Sequence, residues 1–378
     1  MAPHKAAYIP SKKARLEIGT AEYTHPRENQ IVVKTAAVAV NPLDWVKQDV
    51  GDVFSSWIKY PFIMGSDLAG EVFEVGPGVT RFKVGDRVVG HAVGMDERSN
   101  KSSEGAFQEY TVIRTNLACP IPDSLTYEAA CVLPLGLSTA SCGLFMKDYL
   151  ALRYPTIAPP SGSSNSKPVS KKETLLVWGG STSVGCNAIQ LATAAGYDVI
   201  TTASSHNHEY LKKLGAIAVY DYKSPTVIAD ITAAFKDRLS VGAIAIGQKS
   251  VGFCIDILSK CQGRKFIAQA SFDWPPSGFP QGALDWPAFS MRMGTSMMSL
   301  KAKSALKRVQ AKFIWGTDNM ANEVGKAIYE DFLPQALRDG RFIAAPEPLV
   351  VGKGLEHIQE AMDINKKGVS AKKVVVAI

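Results

Sequence analysis

Thr174-Leu175-Leu176-Val177-Trp178-Gly179-Gly180-Ser181-Thr182-Ser183-Val184-Gly185 is the stretch on which the reading of the fold turns. Its apolar opening has the length and composition of a buried strand. The glycine-rich run ends that strand, and Ile189, Leu191, Ala192 and Ala195 then predict a helix closed by Gly196. Asp198 to Thr202 predicts a second strand. Strand, glycine turn, helix, strand is a βαβ unit. Its span of about thirty residues suits the dinucleotide-binding start of a doubly wound parallel sheet.

Glycine in such a turn lets the backbone approach a pyrophosphate, and the helix that follows aims free N–H groups and its positive dipole end at the phosphates. Gly180, Ser181, Thr182, Ser183 and Val184 are therefore the candidate phosphate contacts. In the G-x-G-x-x-G pattern the glycine positions fall on Gly180, Thr182 and Gly185, so Thr182 replaces the middle glycine. Its hydroxyl either donates to a phosphate oxygen or moves the pyrophosphate outward. The second strand runs into Ala203-Ser204-Ser205-His206, with no Asp or Glu to bind a ribose 2′-OH and repel a 2′-phosphate. Hydroxyls and a histidine suit a phosphate dianion, with Lys212 and Tyr222 as further donors, so the sequence predicts NADPH. A helix N-cap would also use serine, and the two roles are compatible.

Before this unit the chain reads as short strands at Gln30–Val40, Gly70–Val75, Asp86–Val89 and Phe107–Val112, separated by glycine and proline turns. A Pro/Ser-rich stretch, Pro155 to Ser170, separates the two regions. After it come strands at Ala218–Tyr220, Gly242–Ile246, Lys265–Ala270 and Lys312–Trp315. The chain closes with a helix from Asn322 to Arg338 kinked at Pro334, a strand Pro348–Val351, a helix from Gly354 to about Ile364 and a strand Lys373–Ile378.

The 378 residues are enough for about two domains, and 46% hydrophobic with 20% charged residues is a globular balance that excludes a disordered chain. The net charge of +7 raises nucleic acid as a partner. The basic cluster Lys301, Lys303, Lys307, Arg308 and Lys312 alternates with Leu300, Leu306 and Val309, which predicts the solvated face of an amphipathic helix and no nucleic-acid site. The six cysteines contain no CxxC pair and sit among apolar neighbours, which predicts buried free thiols. Met1 to Thr20 has no apolar core of a signal peptide, and Pro134 and Gly136 interrupt the most apolar stretch, Ala129–Met146. The expectation is a cytosolic protein that neither enters nor binds a membrane.

Several motifs carry a resemblance over nearly the whole chain: Asn41-Pro42-Leu43-Asp44-Trp45, Gly65-Ser66-Asp67-Leu68-Ala69-Gly70, Val84-Gly85-Asp86-Arg87-Val88, Gly105-Ala106-Phe107-Gln108-Glu109-Tyr110, Gly136-Leu137-Ser138-Thr139-Ala140 and Gly368-Val369-Ser370-Ala371-Lys372-Lys373-Val374. With these the chain resembles the medium-chain dehydrogenase/reductase superfamily. The resemblance implies an α/β protein with a GroES-like catalytic domain from both chain ends, residues 1–140 and 320–378, around a Rossmann NADP-binding domain at 141–319. In the zinc alcohol dehydrogenases of that superfamily a Cys and a His-Glu pair hold the catalytic metal, where this chain has Asn41 and Ser66-Asp67. Neither Asn41 nor Ser66 is a usual zinc ligand, and no metal site is expected. The chain is thus similar to the zinc-independent branch, which includes quinone oxidoreductases and the trans-acting enoyl reductases of fungal polyketide pathways.

Without a metal to polarise a carbonyl, a conjugated C=C or a quinone is an easier hydride acceptor than a simple ketone. The resemblance puts Asn41 and Thr139 beside the nicotinamide as the catalytic candidates. For each, a local role stands beside the pocket role: a turn-stabilising Asn before proline, and a Thr at a helix start. Tyr60 and Trp45 are candidates for an apolar wall against a small-molecule substrate, or plain core. Phe272–Met298 reads as a long insertion, either a substrate lid or an oligomer contact such as a homodimer would use. The other reading of the whole chain is a nucleotide-binding protein of the same fold with a structural or non-redox role.

Overall fold

The computed structural model describes residues 3–53, 55–157, 171–273, 278–280 and 282–378. Most of the Pro/Ser-rich stretch Pro155–Ser170, and Trp274, lie outside the described residues. The chain forms two units, Met1–Ser138 with Gly316–Ile378, and Thr139–Trp315.

In the first unit, β1 (His4–Ile9) pairs with β2 (Glu17–Ala21), and β3 (Gln30–Ala39) leads through Val40 and Asn41 to α1 (Pro42–Val50). Then come β4 (Phe62–Ile63), β5 (Asp67–Val75), β6 (Arg87–His91), β7 (Tyr110–Arg114), β8 (Ala118–Pro120), α2 (Tyr127–Ala130) and α3 (Pro134–Phe145), whose part from Thr139 on is counted with the second unit. The second unit holds β9 (Lys172–Trp178), α4 (Ser183–Ala194), β10 (Asp198–Thr202), α5 (His208–Lys213), β11 (Ala218–Tyr220), α6 (Val227–Ala234), β12 (Arg238–Ala245), α7 (Ser250–Leu258), β13 (Phe266–Gln269), α8 (Trp286–Lys307) and β14 (Gln310–Phe313). The return to the first unit supplies α9 (Glu323–Lys326), α10 (Leu333–Arg338), β15 (Glu347–Lys353), α11 (Ile358–Lys367) and β16 (Lys372–Ala377).

The second unit is a parallel sheet in the order β11-β10-β9-β12-β13-β14. The order reverses direction between β9 and β12, so the glycine turn after Trp178 opens at the switch point where such sheets bind ligands. Leu176, Ile200, Ala243, Ala245 and Ile267 pack with Ile255 and Leu258 of α7 in its core. The stretch read as an insertion is, over its described residues from Trp286, the first half of α8. A connection between parallel β13 and β14 has to cross over, and the 22-residue helix is that crossover. The amphipathic reading of the basic cluster needs correction too. Leu306 is 85% exposed, Val309 is buried beyond the helix end, and Lys303 and Lys307 both bind Asp256 instead of lying solvated. The last strand sits two residues earlier than predicted, because its register is fixed by Phe266 opposite Gln310.

In the first unit β3 is the hub of a seven-stranded sheet, pairing with β5 along its length, with β7 at its start and with β16 at its end. Val375 of the C-terminal strand lies opposite Ala39, and Val40 donates to the Val374 carbonyl at 2.9 Å. The two chain ends thereby meet at Asn41. Ile31, Val33, Val38, Leu68, Val88 and Val376 form the apolar interior. Gly136 does not interrupt α3 as expected: the helix starts at Pro134, where a missing N–H costs nothing, and runs through Gly136. The run Tyr127–Phe145 is long and apolar enough to span a membrane, and 83% of its most apolar window is buried inside the fold. The helix predicted to kink at Pro334 instead passes through a six-residue π turn, Ala327–Phe332, before restarting at Leu333.

Candidate functional site

The glycine turn is built by close packing. A Cβ on Gly180 would stand 2.2 Å from the Thr201 hydroxyl, and one on Gly185 would stand 2.3 Å from the Gly179 carbonyl oxygen. Gly179 itself takes a left-handed φ of 91°. These positions bring the start of α4 against the end of β9, which only glycine permits. Thr182 caps α4: its oxygen accepts the Gly185 N–H at 3.0 Å, and its hydroxyl donates to the Gly179 carbonyl at 2.8 Å. The hydroxyl that replaces the middle glycine is therefore committed to the turn, and Ser181, Ser183 and Val184 are half-buried at the helix start.

Past β10, the structure brings some of the predicted donors together. Ser204 Oγ lies 3.5 Å from the Tyr222 hydroxyl. Ser205, exposed, donates to Asp221 Oδ2 at 2.7 Å. Asp221 follows β11, the strand beside β10, and accepts the Lys223 backbone N–H as well; these bonds hold its carboxyl below the usual range. Sequence reasoning searched only the end of β10 for an acid and missed the one on the neighbouring strand. His206 is exposed beside these groups, whereas Lys212 turns to Glu209 at 2.8 Å on its own helix.

In the first unit a polar cluster is buried where the chain ends meet. Asn41 is 3% exposed; its Nδ2 donates to Asp67 Oδ2 at 2.8 Å, and its Oδ1 accepts from the Lys373 ammonium. Lys373 also pairs with Asp67 Oδ2 at 2.9 Å, and Asp67 Oδ1 accepts the Leu135 N–H at 2.6 Å at the start of α3. The local role weighed for Asn41 also stands: it is the N-cap of α1 in a capping box with Asp44, whose carboxyl accepts the Asn41 backbone N–H at 2.8 Å. Burial pushes the Asp44 carboxyl up to about 7, with the Asp67 charge adding to it. His91, fully buried on β6 opposite Asp67, has no hydrogen-bond partner among the described residues for either ring nitrogen, and burial pulls it down to about 4.

Thr139 lies in the middle of α3, nearly buried at 9% exposure, and not at a helix start. The buried Lys47 ammonium on α1 binds the Gly51 carbonyl at 3.1 Å and Asp52 at 3.2 Å. The wall candidates hold scaffold bonds, Tyr60 to Asp52 at 2.7 Å and Trp45 to Asn365 at 3.0 Å. Among the described residues the six cysteines are buried free thiols.

Residues 27–123 match the alcohol dehydrogenase GroES-like domain, and residues 183–280 match the zinc-binding dehydrogenase domain. A dehydrogenase of Monascus ruber is 51% identical over the whole of both chains. The chain belongs to the medium-chain dehydrogenase/reductase superfamily. A trans-enoyl reductase of Aspergillus japonicus is 36% identical, covering 99% of this chain and 97% of its own. A mycobacterial protein solved as its complex with NADPH shares the fold, with a TM-score of 0.66 at 20% identity over 99% of this chain and 100% of its own. This medium-chain dehydrogenase/reductase is thus an oxidoreductase of the enoyl reductase-like kind. The zinc of the domain's description does not fit its donor set. Asn41 and Ser66 are poor ligands, and Asp67, the first residue of β5, is already paired with Lys373 of this same chain.

Proposed function

We propose that the protein is a zinc-independent, NADPH-dependent oxidoreductase that reduces an activated C=C, in an enone or an enoyl thioester, or a quinone. The observation that carries this reading is the buried Asn41–Asp67–Lys373 network, an amide and an internal ion pair at positions where the zinc enzymes hold a metal. Such groups can donate hydrogen bonds to a developing enolate but supply no Lewis acid strong enough for a simple ketone.

Bound at the glycine turn, NADPH would supply the hydride. The N–H groups of Ser181, Ser183 and Val184 at the start of α4, packed through Gly180, would hold its pyrophosphate. Ser204, Ser205, His206 and Tyr222 would receive the 2′-phosphate, with Lys212 a more remote cation. Hydride delivered to the β-carbon would shift the C=C pair into the bond between the α-carbon and the carbonyl carbon and the C=O pair onto oxygen, and the amide of Asn41 and the hydroxyl of Thr139 would be the donors to that enolate oxygen. A proton then returns to the α-carbon.

The test is NADPH oxidation with crotonyl-N-acetylcysteamine thioester, 2-cyclohexenone, a benzoquinone and, as control, cyclohexanone. Activated acceptors should turn over far faster than the control, and chelators should leave the rate unchanged. Thr139→Val should lower kcat about tenfold for each 1.4 kcal/mol of stabilisation removed, with NADPH affinity retained. Turnover of none of the activated acceptors would refute the reading.

A further inference from the structure

Lys373 follows exposed Lys372 in the last strand, yet its side chain is only 4% exposed. Lysine is almost never buried to this degree without a partner. Its partners are Asp67 Oδ2, at 2.9 Å, and Asn41 Oδ1. Because an ammonium only donates and a carboxylate only accepts, they fix the orientation of the Asn41 amide: oxygen to Lys373, nitrogen to Asp67. A buried ion pair is weak evidence for stability, since apolar side chains of similar volume serve a core as well or better. A cation kept inside the sheet, on the oxygen of an amide already read as a donor, calls for another account.

We propose that Lys373 is a positioning and polarising residue for Asn41, an internal cation that turns the asparagine amide into a strong hydrogen-bond donor. The proposal rests on the reading of Asn41 as a donor to the enolate oxygen. An ammonium on Oδ1 draws electron density through the conjugated amide away from nitrogen. One Nδ2 hydrogen is held by Asp67, so the amide cannot rotate, and the second hydrogen becomes the better donor. Chains of hydrogen bonds strengthen each other in this way by about 10–30% per bond. Asp67 completes the device by anchoring its other oxygen on the Leu135 N–H, which ties the network to the start of α3.

Two measurements test this. In protein labelled with 15N-asparagine, the Asn41 side-chain amide signals, identified by their loss in Asn41→Ala, should lie downfield; Lys373→Met should move them upfield and Lys373→Arg should largely restore them. Signals that stay in place in Lys373→Met overturn the proposal whatever the turnover. In steady-state kinetics with NADPH and crotonyl-N-acetylcysteamine thioester, Lys373→Met should lower kcat about tenfold without changing KM for NADPH, and should cause no further loss in an Asn41→Ala background. Losses that simply multiply in the double variant overturn it as well. If Asn41→Ala alone leaves kcat unchanged, the donor role of Asn41 falls, and the amide signals still decide the polarisation. Should Lys373→Met fail to fold, Lys373→Met with Asp67→Asn removes both charges, keeps an acceptor for Leu135 and takes its place in both measurements.

Discussion

Asp44 and His91 should oppose each other in the pH dependence of stability, and removing either should expose the other. Asp44 is pushed from an ordinary 3.8 up to about 7, and His91 is pulled from 6.5 down to about 4, both chiefly by burial. The charges facing them come from other strands: Asp67 and Lys373 for Asp44, and Asp67, Asp96 and Lys373 for His91. A carboxyl whose folded pKa is raised contributes stability that is complete below its unfolded pKa and is lost as pH rises through 7. An imidazole whose folded pKa is lowered contributes stability that is complete above its unfolded pKa and is lost as pH falls toward 4. Between about pH 4.5 and 6.5 the unfolded chain therefore carries a proton on His91 and none on Asp44, and the folded chain does the reverse, so the net proton uptake cancels.

Asp44→Asn keeps an acceptor for the Asn41 N–H and removes the carboxyl. Relative to the parent, its stability should fall by about 3 kcal/mol as pH drops from 6.5 to 4.5, since proton uptake on unfolding at His91 is then uncompensated across about two pH units at about 1.4 kcal/mol each. His91→Phe should show the opposite slope, losing about 3 kcal/mol between pH 4.5 and 7.5. At the pH where both proteins are most stable, His91→Phe should match or exceed the parent, because it deletes two buried nitrogens that have no hydrogen-bond partner among the described residues. Urea denaturation followed by tryptophan fluorescence at four pH values measures these differences, in which the other titrating groups cancel. Both variants running parallel to the parent would show that neither group is titrating in the folded chain as its burial requires.

Gly185→Ala forces a Cβ to 2.3 Å from the Gly179 carbonyl, backbone against backbone, so it should destabilise the second unit by about 1–3 kcal/mol and abolish stabilisation by NADPH in thermal melts. Asp221→Asn removes the carboxylate that holds Ser205, so NADPH should bind several-fold more tightly by fluorescence titration while NADH does not; unchanged NADPH binding would count against a 2′-phosphate site at Ser205, and selective loss of NADH binding would assign Asp221 to a ribose hydroxyl instead.

The parts of this molecule that were legible in the sequence are those whose cause is local. The βαβ unit follows from an apolar run, a glycine turn and a helical period within a single short window, and the observed β9, α4 and β10 match it nearly residue for residue. The first half of α8 was misread because none of its residues is buried, so no apolar stripe marks a core-facing side there; the helical spacing begins to show only near Leu300, which packs against the core. Asp221 was missed because pairing of β10 with β11, not sequence distance, sets it beside Ser205.

The polar cluster around Asn41 is the extreme of that dependence on topology. Asn41, Asp67 and Lys373 were each in view as parts of motifs, but Lys373 lies 332 residues from Asn41 and meets it only because β16 pairs with the end of β3. The weak local signal is a lysine pair at the head of Val374-Val375-Val376, where strand geometry sends one side chain outward and one inward. An outward Lys372 and an inward Lys373 follow from that alternation, and an inward lysine requires an acceptor. Asp67 meets that requirement at the start of β5, which pairs with the same strand β3 from its other side. The fold thus brings one cation from the C-terminus and one anion from the N-terminal region to the amide that joins β3 to α1.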